Sequence, residues 1–341
     1  MNRRRMIGVS LGVRTTDEAL AALAEVAAVA DIAELRLDFM AEYDLPRLLA
    51  ARPCPVIVTN RPEREGGRFT GSEADRLRPL RAAIDLGTDY VDVEHDSVSL
   101  LPAQRGNTQV IVSYHDFTAT PPTLPDIAAR LQEQGADVVK VVGMAQHPAD
   151  NRYVLETFDE ARLPTIAIGM GVAGLPSRVL ALRYEQCFLT YATLGTGEQV
   201  APGQLPVEAM QAVYQASAIG PATLAVGIVA PTLPSDEELM RLNGALRQRG
   251  RDAVAVPFVL PETADATALV RAYTDRRYGI GAWIVRPPHQ QALARPGALD
   301  RLQDKAATHG AVDLVVREPD GLYGLWVGSP TTAVVALDLA A

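Results

Sequence analysis

Four side chains have the types and neighbours that could carry a reaction. Lys140 stands alone in the β-branched run DVVKVV, residues 137–142. An amine enclosed by apolar side chains and near other cations is available as a neutral nucleophile, able to form a Schiff base with a ketone. The alternative is a stem packed on its apolar neighbours with the ammonium in solvent. His115, in SYHDF (113–117), is one of five histidines, and imidazole both accepts and donates a proton near neutral pH; a lone histidine is also a common structural residue. Glu65, in EREGG (63–67), could orient that imidazole. Arg178 closes the stretch MGVAGLPSR (170–178), where a glycine-containing loop gives way to a helix expected to begin near Ser177. Helix N-terminal amides and a guanidinium together suit a carboxylate; otherwise Arg178 is a surface arginine in a first helical turn. The loop lacks a nucleotide-binding fingerprint, and no Walker-type lysine follows it.

These residues need a scaffold, and the chain alternates short β-branched runs with longer amphipathic stretches as far as Val200. The runs begin at Ile7, Ala33, Pro55, Tyr90, Gln109, Asp137, Pro164 and Cys187. Between them, 15–30 offers Thr16 as an N-cap with Leu20, Leu23 and Val26 at helical spacing, and 71–87 offers Ser72 with Leu77, Leu80 and Ile84 before a stop at Gly87. Strand and helix in this alternation predict an α/β fold, a (β/α)8 TIM barrel in preference to an open doubly wound sheet. In such a barrel chemistry gathers at the C-terminal ends of strands. Glu34, Arg36, Asn60, Arg61, Asp92 and Glu94 fall there as well as the first four, although any one strand-end charge can be a solvated rim residue. Near 217–221 the pattern changes, and a smaller α/β domain is expected: strands LAVGIVA, AVAVPFVL and GAWIV, helices over 235–248, 266–273 and 299–308, and a closing pair, AVDLVV and LYGLWVG.

The 341 residues fit two domains. Apolar content of 48%, charged content of 21% and a net charge of −9 are globular values without a basic patch. They argue against a nucleic-acid partner. Cys54 and Cys187 lie in separate apolar runs rather than at ligand spacing, which fits a reducing cytoplasm. Arg3, Arg4 and Arg5 precede an apolar run too brief for a membrane span and without a cleavage pattern.

Read in order, ELRLD (34–38), TNRPEREGG (59–67), DVE (92–94), SYHDF, VKVV around Lys140, GxxGxxSR (171–178) and APGQ (201–204) resemble the type I 3-dehydroquinate dehydratase family over residues 6–215. The resemblance implies that Lys140 is the Schiff-base lysine, that His115 moves the protons and that Glu65 is its partner. It further implies that Arg178 binds the substrate carboxylate, while Glu34, Arg36, Arg61 and Gln204 hold ring hydroxyls or frame the pocket. It implies no metal and no organic cofactor, a small-molecule substrate, 3-dehydroquinate, and leaves a homodimer open. Val200 departs from the family, which usually carries serine or threonine just before APGQ on a loop that closes over substrate; the expected consequence is a raised KM.

Residues 222–341 resemble the substrate-binding domain of shikimate dehydrogenase, with its chemistry altered. The family's paired serines align with Asp236 and Glu238, its catalytic lysine with His289 or Gln290, the asparagine of its GAVN motif with Asp313 and its catalytic aspartate with Gly328. Ser235 and Glu238 form a capping-box pattern. No GxGxxG fingerprint occurs as far as Ala341, so a non-catalytic domain without an NADP-binding partner is expected, following a barrel over 1–216 and a linker over 217–221. Two other functions are open to this sequence: a lysine-dependent aldolase on the same barrel, which the HDF, EGG and SR contexts disfavour, and a non-enzymatic binding or regulatory protein, which the retained Lys140, His115, Glu65 and Arg178 disfavour.

Overall fold

The β-branched runs form eight parallel strands in a computed structural model that describes residues 5–195, 198 and 200–329. They are β1 (Met6–Leu11), β2 (Ile32–Arg36), β3 (Val56–Thr59), β4 (Tyr90–Glu94), β5 (Gln109–Asp116), β6 (Val138–Met144), β7 (Thr165–Met170) and β8 (Leu189–Thr193). Their order is β7-β6-β5-β4-β3-β2-β1-β8, with the two-residue β9 (Leu205–Pro206) beside β8. A parallel bridge between Thr165 and Cys187 joins β7 to the chain entering β8. The TIM-like barrel is therefore present. Its helices are α1 (Thr16–Val29), α2 (Leu45–Ala50), α3 (Glu73–Asp85), α4 (Leu124–Gln132), α5 (Asn151–Glu156), α6 (Leu175–Leu180) and α7 (Val207–Ala212).

Strand alternation separates two apolar sets. Ile32, Ile57, Ile111, Val138 and Ile166 pack inside the barrel, while Ala33, Val58, Val112, Val139 and Val141 join the larger core beneath the helices. Ser72 caps α3 as expected, its side chain accepting from the Asp75 amide. Thr16 does not cap α1. Thr15 is the extended residue whose hydroxyl accepts from the Glu18 amide, and Thr16 Oγ1 instead accepts from the Asp44 amide at 2.9 Å.

The second unit holds β10 (Leu224–Ala230), α8 (Asp236–Gln248), β11 (Ala253–Val259), α9 (Ala266–Ala272), β12 (Ile280–Val285), α10 (Gln290–Leu293), β13 (Arg301–Leu302), α11 (Asp304–His309), β14 (Leu314–Glu318) and β15 (Gly321–Leu325). Its sheet runs β11-β10-β12-β14-β15-β13. The helix expected over 299–308 starts only at Asp304, because Arg301 and Leu302 pair with Tyr323 and Gly324 of β15. The two units dock: α6 packs on β11, and Arg183 donates to the Thr223 and Tyr278 carbonyls at 2.6 and 2.9 Å. Among the described residues, no helix is long and apolar enough to cross a membrane.

Candidate active site

The phase of β6 turns Lys140 inward. Val138 and Val142, two residues to either side, belong to the barrel interior, whereas Val139 and Val141 face the helix layer. In register, Lys140 lies between Ser113 of β5 and Ile166 of β7. Apolar residues thus fill the lower barrel while polar ones occupy its C-terminal mouth. There Lys140, His115, Glu65, Glu34, Arg36, Arg61, Arg178 and Gln204 all line one cavity.

The surroundings of Lys140 differ from the apolar enclosure expected. Its Nζ donates to Asp92 Oδ2 at 2.7 Å and Glu34 Oε1 at 3.3 Å, and lies 3.4 Å from the Tyr191 hydroxyl. The flanking valines are poor guides, because alternate strand residues point away and the amine's neighbours come from β2, β4 and β8. Arg61 continues the network, pairing with Asp92 at 2.7 Å and Glu94 at 2.6 Å and donating to Ser113 Oγ at 2.7 Å. Arg76 of α3 pairs with the other Glu94 oxygen. Burial opposes the charge on Asp92, but Arg61 and Lys140 outweigh it and hold that carboxyl well below the usual range. Glu34 behaves similarly: burial and Asp92 raise it, but Lys140, Arg36 and Arg61 together bring it below its ordinary value, and Thr59 Oγ1 donates to it at 2.8 Å. Arg36 is held bidentately by Asp38, at 2.8 and 2.7 Å.

His115 extends from β5, and its Nδ1 lies 2.9 Å from Glu65 Oε2. The two glycines after Glu65 let Phe117 and the Arg61 backbone pack closely against this turn. Gly66 has φ +73°, and a Cβ on it would fall 2.1 Å from the Phe117 ring; one on Gly67 would fall 2.0 Å from the Arg61 carbonyl oxygen. Phe117 stacks on His115 with centroids 6.3 Å apart. Burial, then Arg61 and Lys140, keep the His115 imidazole neutral well below its ordinary pKa. Burial also raises Glu65 to about 8. The pair shares its protons in one hydrogen bond, so it titrates as a unit.

Arg178 is different from the other buried cations. It lies on α6, which starts at Leu175 rather than near Ser177, and it is 1% exposed. It donates to the Pro202 carbonyl at 3.1 Å and, at 3.5 Å, to that of Tyr191. Among the described residues it has no carboxylate partner, its Nε is unbonded, and Gln204 Oε1 is likewise unpartnered. Burial alone lowers its pKa to about 10. A buried guanidinium without a counter-charge is costly unless a ligand supplies one. Val200 and Ala201 lie on the same cavity wall.

Asp92 and Tyr191 belong in this constellation as closely as Glu34 does. Asp92 was visible as a strand-end acid but had no local partner in sequence to single it out. Tyr191 sits inside the apolar run CFLTYA, where it reads as core. Asp38 carried no signal beyond its place at the end of ELRLD.

The second unit treats its polar groups otherwise. Ser235 Oγ accepts from the Glu238 amide at 3.3 Å, and the Glu238 carboxylate pairs with Arg286. His289 is buried with Nε2 3.0 Å from the Leu260 carbonyl, and Gln290 donates to the Val285 carbonyl at 2.9 Å. Asp313 accepts from the Val327 and Gly328 amides at 2.8 and 2.7 Å.

The chain is similar to several known proteins. A bifunctional 3-dehydroquinate dehydratase/shikimate dehydrogenase of Arabidopsis thaliana, described as chloroplastic, is 31% identical over 300 residues, 84% of this chain and 48% of that protein. The chain therefore spans about half the length of that relative. A 3-dehydroquinate dehydratase of Desulfotalea psychrophila is 35% identical over 222 residues, 62% of this chain and 97% of its own. The crystal structure of a type I 3-dehydroquinate dehydratase from Clostridium difficile, carrying covalently modified comenic acid, superposes with TM-score 0.53 at 26% identity over 60% of this chain and 88% of that one. The dehydroquinate dehydratase and shikimate dehydrogenase portion of AroM from S. pombe shares the fold over 94% of this chain and 64% of that one, with TM-score 0.53 at 22% identity. The family model for type I 3-dehydroquinase matches residues 7–221, and the chain belongs to that family.

Proposed function

We propose that the protein dehydrates 3-dehydroquinate to 3-dehydroshikimate, a step of the shikimate pathway leading to aromatic amino acids, through a Schiff base on Lys140. The observation that carries this reading is one cavity holding a buried amine, an imidazole paired with a carboxyl, and a guanidinium that has no carboxylate partner among the described residues. Arg178 takes the substrate carboxylate, and Gln204, Glu34, Arg36 and Arg61 hold ring hydroxyls or frame the ring. Lys140 attacks the ketone as a free amine, with neutral His115 as the base for its proton. Loss of water from the carbinolamine gives an iminium, which acidifies the neighbouring C–H. His115 removes that proton, leaving an enamine, and returns it to the β-hydroxyl as the hydroxyl leaves as water. Hydrolysis of the conjugated iminium then frees the product and Lys140.

Residues 222–341 form a non-catalytic domain in this reading. The positions of the dehydrogenase lysine and aspartate carry no equivalent groups, and Glu238 brings negative charge where the family receives a carboxylate. Free Cys54 and Cys187 accord with a cytoplasmic setting. The test is to incubate the chain with 3-dehydroquinate and follow the ultraviolet absorbance of the conjugated product, then supply shikimate and NADP. Dehydration without oxidation of shikimate is expected; no dehydration contradicts the first assignment, and NADP reduction contradicts the second.

A further inference from the structure

Among the contacts between the second domain and the barrel, the one made by Tyr273 is buried. Tyr273, at the C-terminal end of α9, packs its ring edgewise on Phe258 and Tyr278 and at a tilt on Trp283, as a core residue of its own domain. Its hydroxyl crosses the interface and donates to the Pro148 carbonyl at 2.7 Å. Pro148 follows β6, the strand of Lys140. Asn151, fully buried, donates to that same carbonyl at 2.8 Å and to the Ala173 carbonyl at 2.7 Å. Its Oδ1 accepts from the Ser177 amide at 3.1 Å, and Ser177 Oγ accepts from the Gly169 amide at 2.8 Å. The next residue is Arg178. Its helical stretch runs on to Arg183, whose guanidinium holds the Thr223 and Tyr278 carbonyls and whose seat against Gly279 leaves no room for a Cβ.

We infer that the second domain acts as a brace for the anion-binding side of the barrel, with Tyr273 and Asn151 as positioning residues that hold the loop and helix bearing Arg178. The inference rests on the dehydratase reading of that site. It gives the appended domain a role that needs no active centre of its own. A buried guanidinium lacking a counter-charge gains from such bracing, because a donor displaced by a fraction of an ångström loses much of a charge-assisted hydrogen bond. Lys140 and His115 stand within strands β6 and β5.

The test uses the full chain carrying Tyr273→Phe, which keeps the aromatic packing and removes only the hydroxyl. KM for 3-dehydroquinate should rise about fivefold, the loss expected of one hydrogen bond, with kcat within about twofold. Calorimetry with quinate, a ring carboxylate that cannot form an imine, should show the same weakening, while a cyclohexane tetrol lacking the carboxylate should bind both chains alike. Arg183→Lys, which loses the planar fork, should move KM in the same direction and supplies an independent variant. An unchanged KM and quinate affinity in both variants, or equal weakening of quinate and the tetrol, overturns the brace. Absence of both dehydration and quinate binding in the unaltered chain would remove the dehydratase reading itself, and the brace would fall with it.

Discussion

The two halves of the molecule differ in whether their arginines have an acid to pair with. In the barrel, Lys140, Arg61 and Arg76 are matched by Asp92, Glu34 and Glu94, while Arg178 is left without an acid and with a bare Nε among the described residues. In the second domain Arg286 has an acid, Glu238, although its own Nε is bare as well, and Asp313 is taken up by two backbone amides. A charge held at a cost in the free protein is repaid only by a ligand.

The contrast can be broken most severely at His115. His115→Ala removes the proton carrier, and kcat should fall by about 10²- to 10⁴-fold, as read by the absorbance assay; a loss below tenfold would require another base. Next comes the pair of arginines. Arg178→Met should raise KM about 10- to 100-fold, the worth of hydrogen bonds to a charged group, while leaving the melting temperature unchanged or higher, since an uncompensated buried cation is removed. Arg286→Met should do the reverse, leaving turnover intact and lowering stability by about 1 kcal/mol or less, because its ion pair is partly exposed. Identical stability responses in the two variants would dissolve the comparison.

A smaller effect separates Glu65 from His115. Glu65 has a pKa raised to about 8, so below that pH the pair carries an extra proton and His115 lacks a free base nitrogen. Activity should therefore rise with pH, kcat/KM levelling off only above an inflection near 8. Glu65→Gln removes the raised carboxyl and leaves an imidazole whose own pKa lies well below its ordinary value. The inflection should then move to lower pH, with a lower plateau; an unmoved inflection would assign it to another group. The smallest change expected is at Val200. Val200→Ser restores a hydroxyl to the cavity wall, and KM should fall about two- to tenfold for one added hydrogen bond, whereas an unchanged KM would show that the hydroxyl never reaches substrate.

Much of this was legible in the sequence because parallel strands buried on both faces write continuous β-branched runs, and charges interrupting such runs are conspicuous. Lys140 was visible that way and His115 at the exit of such a run, while the EGG stretch of Glu65 marked a turn whose glycines admit Phe117 and the Arg61 carbonyl. What could not be read was whatever depends on which strands become neighbours across the barrel. The Lys140 amine faces Asp92 and Glu34 rather than its flanking valines, and Tyr191 looks like core until β8 is set beside β1. Short elements were also opaque. Arg301 and Leu302 belong to a helical pattern by spacing but are claimed by β15, and Thr15 wins the cap from Thr16 through backbone geometry that adjacent threonines do not reveal.

The central claim is covalent chemistry at one amine. Incubating the chain with 3-dehydroquinate, reducing with borohydride and mapping the tryptic peptides by mass spectrometry tests it directly. The account predicts a reduced ring adduct on Lys140, and none in Lys140→Met. An unmodified Lys140 peptide, or an adduct on Lys305, the other lysine of the chain, would contradict it.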